Sequence, residues 1–432
     1  MSSAELGMMM PHAGGDYVFL RRMYGLPWGF LYGYLSFFIS FSGAIAVAAT
    51  GVVQFQISAL LGYWIDFDHN LISFELQALN MGLFETGVWH YAFKIQHLFA
   101  IGLVLLLTTL NYFGIKASSV IQSTITIIPI AFFAIAGLII VILALLGSGE
   151  TSYLLYQNFE KASTGSTDIT TFARALLPVF FTYTGWNAAL YLAEDVKRPH
   201  RVLPISMIVS LLIVSSMYLL FNLVLLASNP FEELSGANYN FIDANKRAWG
   251  ILIGDWAGDF LNVVIVLLIL AGLNTTILAG SRMYLAMARD GIFPAQAAKL
   301  HSRHNTPYIS LWAQAGITCL IIFVFLDFDK ILSVTTMTMI FLSMLTISTV
   351  FILRRHTSEE YTTIREANKK LFRVLGYPWM PLLYIGLSLF ILFGAIFGSD
   401  VGAGQAIIGG ALIAIGYIVY VIFGYVKRRS RK

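Results

Sequence analysis

Long uncharged apolar stretches alternate with short polar ones along the whole chain, and their lengths suit a lipid bilayer better than a water-filled core. A helix needs about 20 apolar residues to cross the hydrocarbon. From Met23 to Ile65 there is no formal charge, which predicts one long or tilted helix over residues 28–60. An acidic loop with Asp66, Asp68, Glu75 and Glu85 separates it from a span over 96–114. Charge is absent again between Lys116 and Glu150, predicting a third span over 119–146 with a kink at Pro129. Further spans are expected over 173–194, 203–228, 258–281, 308–326, 331–353, 379–397 and 404–426. Ten spans result. The opening residues 1–10, MSSAELGMMM, are too short to cross, and RRHTSEEYTTIREANKKLFR is too polar to enter lipid, so it predicts a surface helix.

Composition agrees with this pattern. The 432 residues are 58% hydrophobic and 12% charged, with a mean hydropathy of +0.75, against roughly 25% charged in a soluble domain. The chain reads as an all-α integral membrane protein. Its one cysteine, Cys319, excludes an internal disulfide framework, and Glu5 without a preceding basic region argues against a cleavable signal. Alternate loops carry 21 and 6 of the 27 Lys and Arg residues. Positive charge stays in the cytoplasm, so the richer set, which includes the C-terminus, is expected there, in a multi-pass protein of the cell (plasma) membrane.

The fourth span is unlike the others. Its middle, Tyr183-Thr184-Gly185-Trp186-Asn187, brings a glycine, a hydroxyl, a carboxamide and two aromatics into an otherwise apolar segment. Such a helix is built to break, and a discontinuous helix at membrane depth presents bare backbone groups to a small polar substrate. Free N–H groups suit a carboxylate and free carbonyls suit an ammonium. No span pairs Ser with His, Asp with Asp or His with Glu, and neither a metal-binding spacing nor a phosphate-cradling loop occurs, which counts against a membrane-embedded enzyme and against nucleic acid as a partner.

The stretch GWNAALYLAEDVKRPHRVLP resembles the sixth helix of the amino acid-polyamine-organocation (APC) permeases. ELGMMMPHAGGDYVFLRRMYG resembles that family's second-to-third helix loop, and LNTTILAGSRMYLAMARDGIFP resembles the end of its eighth helix. The resemblance implies a single transporter domain over 1–432 with a LeuT-like inverted-repeat fold. In it, residues 1–10 are a remnant of helix two, 28–353 are helices three to ten, 354–377 a cytoplasmic loop, and 378–426 helices eleven and twelve. The family's first helix has no counterpart, so the fold is expected to be N-terminally incomplete.

By the same resemblance, the chain is expected to move amino acids or related amines by secondary active transport and alternating access. The alternative is a truncated, non-transporting remnant. The implied substrate-binding residues are Phe180, Phe181, Tyr183, Thr184, Gly185, Trp186 and Asn187, with Phe181 as a gate, carbonyls of Phe180 to Thr184 for the ammonium, and Trp186 and Asn187 lining or bracing the break. Each has a plainer alternative. Gly185 and Trp186 could serve packing, and Asn187 could bond a neighbouring helix. The charged run from Glu194 to Arg201 reads as an ion-paired anchor. Asn274, Thr275 and Thr276 lie where sodium-coupled relatives place ion ligands, although threonines also bond their own i−4 carbonyls. No cofactor is implied beyond a possible coupling ion, Na+ or H+. No Lys or Arg lies between Lys116 and Lys161, and no acid sits deep in any span, so the sequence leaves sodium coupling, exchange and uniport open. His97 is expected at the membrane edge.

Overall fold

The computed structural model describes residues 2–10, 14–76, 89–114, 119–147, 149–164, 168–191, 193, 196, 198–235, 241–254, 256–355, 373–398 and 400–429. Two short helices come first, α1 (Ser2–Met9) and α2 (Asp16–Tyr24), followed by the long α3 (Leu26–Leu61), which contains two π-helical segments, Ser36–Ser40 and Val52–Ile57. A hairpin, β1 (Asn70–Leu76) and β2 (Trp89–Lys94), leads into α4 (Ile95–Tyr112) and α5 (Ser119–Leu146). Next come α6 (Glu150–Thr164), α7 (Ile169–Thr182), α8 (Ala188–Tyr191), α9 (Pro199–Ser228), α10 (Phe231–Ser235) and α11 (Phe241–Ile253). The chain continues through α12 (Ala257–Arg289), α13 (Tyr308–Phe325), α14 (Phe328–Arg355), α15 (Trp379–Phe397) and α16 (Asp400–Arg429).

Helix is present in each of the ten expected spans, interrupted in the fourth at residues 183–187. Among the described residues, eight helices are long and apolar enough to cross a membrane; the other two are α7, only 14 residues long, and α16, whose described apolar stretch is Ile407–Ile422. The chain is thus an all-α, multi-pass membrane protein, in keeping with the LeuT-like fold that the resemblance implies. α3 lies at its centre, with 78% of its most apolar window buried, against 56% for α14 and 6% for α9. That difference decides which helices face lipid. α9 can be apolar throughout because its surroundings are hydrocarbon, whereas α3 carries small residues that admit neighbours closely. Around α3 are packed α12, α13 and α14, while α15 and α14 both pack on α7.

Several elements differ from the sequence expectation. Residues 70–76 and 89–94, expected in an acidic loop, pair as antiparallel strands with Phe74 stacked on Tyr91, ring centroids 4.7 Å apart. Cross-strand aromatic pairs of this kind stabilise a hairpin that a search for long apolar windows overlooks. Two helices too polar to span were not expected. α6 packs on α9 and sends the buried Asn158 carboxamide to the carbonyls of Leu226 (2.7 Å) and Asn229 (2.8 Å), closing the end of α9; α11 buries Trp249. His97, in the first turn of α4, is buried. Its Nδ1 accepts the Lys94 N–H (2.9 Å) and its Nε2 donates to the Leu326 carbonyl (2.7 Å), so a neutral imidazole ties α4 to the end of α13. The surface helix expected near 354–373 falls largely on residues 356–372, outside the described residues.

α1 is buried along its whole length. It packs on α9 and α14, and an ion pair ties it there. Arg354 grips Glu5 through Nε (3.0 Å) and Nη2 (2.7 Å), the Val374 N–H donates to the same carboxylate (2.7 Å), and the Tyr377 ring stacks 4.0 Å from the guanidinium. A buried carboxylate is tolerated when it is paired and hydrogen-bonded in this way.

Candidate functional site

The fourth span does break. Asp168 caps the start of α7 by accepting from the N–H groups of Thr170 (3.1 Å) and Thr171 (3.3 Å). α7 then runs to Thr182, and its last turn tightens, with Tyr183 N–H bonding the Phe180 carbonyl (3.1 Å) and Thr184 N–H the Phe181 carbonyl (3.0 Å). Gly185 follows at φ +88°, a conformation that glycine adopts without steric cost. The helix restarts as α8 one turn later, with Ala188 N–H on the Gly185 carbonyl (2.9 Å).

The break leaves a defined set of backbone groups. The Phe181 carbonyl is also taken by the Thr184 hydroxyl (2.7 Å) and the Thr182 carbonyl by the Tyr218 hydroxyl of α9 (2.6 Å). Among the described residues, the carbonyls of Tyr183 and Thr184 and the N–H groups of Gly185, Trp186 and Asn187 have no hydrogen-bond partner. Acceptors at the end of α7 thus stand beside donors at the start of α8, a polarity that suits a zwitterion.

The side chains of the expected site residues go several ways. Phe180 packs with Leu177, Met337 and Ile391, towards α14 and α15. Phe181 packs into the separate cluster that contains Leu273 and Ile277 of α12. Tyr183 meets Tyr218 edge-on, with centroids 5.1 Å apart. Trp186 joins the cluster around Tyr17 and Phe37. Asn274 accepts the Asn111 carboxamide of α4 (2.7 Å), while Thr275 and Thr276 donate to the i−4 carbonyls of Ala271 (3.0 Å) and Gly272 (2.9 Å). Within the charged run, Glu194, Asp195 and Lys197 lie outside the described residues.

Asn187 bonds elsewhere. Its Nδ2 donates to Asp16 Oδ2 (2.7 Å) and to the Tyr191 hydroxyl (3.2 Å). Asp16 begins α2, in the stretch quoted above for its likeness to the family's second-to-third helix loop, but its link to the break was missed in the sequence. Gly15, immediately before it, shows why that stretch needs its glycines. Gly15 sits at φ +50°, and a Cβ there would come within 2.9 Å of the Tyr191 ring. The next residue, Tyr17, donates to Asp290 (2.7 Å), and Arg21, one turn further, pairs with the same carboxylate, which follows α12 in the third motif. Burial and the Asp290 carboxylate hold the Tyr17 phenol well above its ordinary pKa. The three stretches that carry the resemblance therefore meet around α2.

A cavity of about 1030 Å³ lined by Tyr91, Lys94, His97, Asp327, Asp329 and Lys330, among others, has no lining residue from α7, the turn or α8. Among the described residues, no three His, Cys, Asp or Glu side chains gather as metal ligands.

The chain matches the family model described as "Amino acid permease" over residues 1–423. It is 26% identical over 435 aligned positions to the serine/threonine exchanger SteT of Bacillus subtilis (strain 168), the alignment covering 100% of this chain and 86% of that one. It is 24% identical over 312 positions to the branched-chain amino acid permease BcaP of the same organism, covering 72% of this chain and 61% of BcaP. It is 25% identical over 314 positions to the large neutral amino acids transporter small subunit 2 of Mus musculus, covering 71% of this chain and about half, 52%, of that protein. A family match that runs from α1 to α16 takes in the broken helix and everything packed on it, and the chain belongs to the amino acid permease family.

Proposed function

We propose that the protein is a secondary transporter that carries amino acids across the cell membrane by alternating access, with the substrate held at the break around Gly185. The observation that carries this reading is the set of groups there with no hydrogen-bond partner among the described residues: N–H of Gly185, Trp186 and Asn187 for the carboxylate, and carbonyls of Tyr183 and Thr184 for the ammonium. Neutral side chains fit best. Burying an unpaired side-chain charge beside the break would be costly. Serine/threonine, branched-chain and large neutral amino acids are what the names of the three relatives record. The concentration of Lys and Arg in one set of loops supports a cytoplasmic C-terminus.

The test is uptake of labelled neutral amino acids by liposomes containing the purified protein. Saturable uptake that unlabelled substrate competes is expected. Folded protein that moves no amino acid, in uptake or in exchange, would refute the reading.

A further inference from the structure

Asp16 lies outside the spans, yet its carboxyl is buried against the second half of the broken helix. Its Oδ2 takes the Asn187 carboxamide (2.7 Å), the Tyr191 hydroxyl (3.1 Å) and the Tyr32 hydroxyl (3.2 Å), and the two phenols are themselves 2.8 Å apart. Three oxygens thus form a closed triangle of contacts, and the two phenols supply hydrogens for only two of its three edges. Protonation of the carboxyl supplies the third: Asp16 donates to one tyrosine, that tyrosine to the other, and the other back to Asp16. Its Oδ1 is buried with no partner among the described residues, and no described Lys, Arg or His pairs with it. A buried carboxylate in that position takes up a proton more readily than one in water.

We propose that Asp16 is a proton-binding site and that its proton closes the triangle holding Asn187 and Tyr191, so that proton occupancy and the position of α8 are linked. One proton from bulk water converts one carboxylate to a neutral acid. Burial raises the carboxyl's pKa, and the three donors work against that rise. The titratable groups facing it are Tyr32 from α3, Tyr191 from α8 and Tyr384 from α15; Tyr17 and Arg21 of α2 are engaged by Asp290. His12, Glu194, Asp195 and Lys197 lie outside the described residues. A carboxyl with a higher pKa in this packed state than after release binds its proton more tightly when packed. Acid therefore holds α8 in place, and the hold is lost as pH rises from the ordinary carboxylate range through the raised value.

The kinetic arm of the test rests on the transport reading, but the spectroscopic arm does not. Infrared spectra of the protein in liposomes from about pH 4 to about pH 8 read the carboxylic acid C=O band without any substrate. A band titrating above the ordinary carboxylate range is expected, absent from Asp16→Asn. Labelled amino acid uptake over the same pH steps is expected to vary in the wild type and to be flat in Asp16→Asn, whose carboxamide stays neutral throughout. A wild type without the band, or a band that persists in Asp16→Asn, overturns the proposal whether or not the protein transports. The band without any transport sinks the transport reading alone, and the band with pH-independent uptake overturns the link to α8. If Asp16→Asn does not fold, Tyr32→Phe opens the triangle that the proton closes and must move the midpoint; an unmoved midpoint is equally fatal.

Discussion

Replacing Gly185 by alanine isolates backbone conformation from steric fit. A Cβ at this position meets nothing within 4 Å, so the change creates no clash, but the backbone sits at φ +88°. Holding an L-residue in the left-handed region costs about 1–2 kcal/mol. The same change favours a continuous helix by about 1 kcal/mol, the difference between glycine and alanine in a helix interior. Alanine therefore shifts the balance between broken and continuous helix by roughly 2–3 kcal/mol. At about 1.4 kcal/mol per decade this is roughly a 30- to 150-fold change in their ratio, and the apparent Kd rises by up to that factor because the binding-competent fraction falls. Calorimetric titration of purified protein with a transported amino acid would measure it, with thermal melting to confirm the fold. Gly316→Ala is the matched control: its Cβ also enters open space, but its backbone is helical within α13. Gly185→Asn should fall between alanine and glycine, since asparagine tolerates positive φ better than most residues. A Kd for Gly185→Ala equal to wild type, or an equal loss in Gly316→Ala, would refute the argument that the break depends on this conformation.

Two further perturbations test the packing that holds the break. Arg354→Ala strands the buried Glu5 carboxylate with only the Val374 N–H and should destabilise the protein by roughly 3–5 kcal/mol, seen as a lower melting temperature, with Arg354→Lys recovering only part because the two-point grip is lost; an unchanged melting temperature would count against a buried anchor. Gly394→Ala in α15 would overlap the Ala173 side chain and place a Cβ 2.9 Å from Arg174 N, so α7 and α15 must separate at a cost of roughly 1–3 kcal/mol, and a variant as stable as wild type would show that this close approach is not needed.

The helices were legible in the sequence because a bilayer constrains composition directly. Only helices with satisfied backbones cross hydrocarbon, so charge-free windows marked α3, α4, α5, α9 and α13 to α15 almost to their ends, while α12 runs eight residues past its window to Arg289. The break was legible for a related reason: Gly185 and its polar neighbours interrupt a segment that lipid otherwise requires to be apolar. Which of the freed groups remain available was not, since the carbonyls of Phe181 and Thr182 are taken by Thr184 and by Tyr218, the latter 36 residues away on α9. The hairpin and α6 escaped notice because their stabilising pairs, Phe74 with Tyr91 and Asn158 with the end of α9, are contacts across the fold and not features of a window.

Asp16 shows the division most clearly. It reads as one acidic residue in a glycine-rich loop, and local pattern expects such a residue to be solvated. Helix packing brings it against Tyr32, Asn187 and Tyr191, up to 175 positions away, and removes the water. Membrane depth and helix order follow from the chemistry of each segment with its solvent, which is local. A buried carboxyl's partners follow from the register between helices, which is set by shape complementarity over the whole bundle.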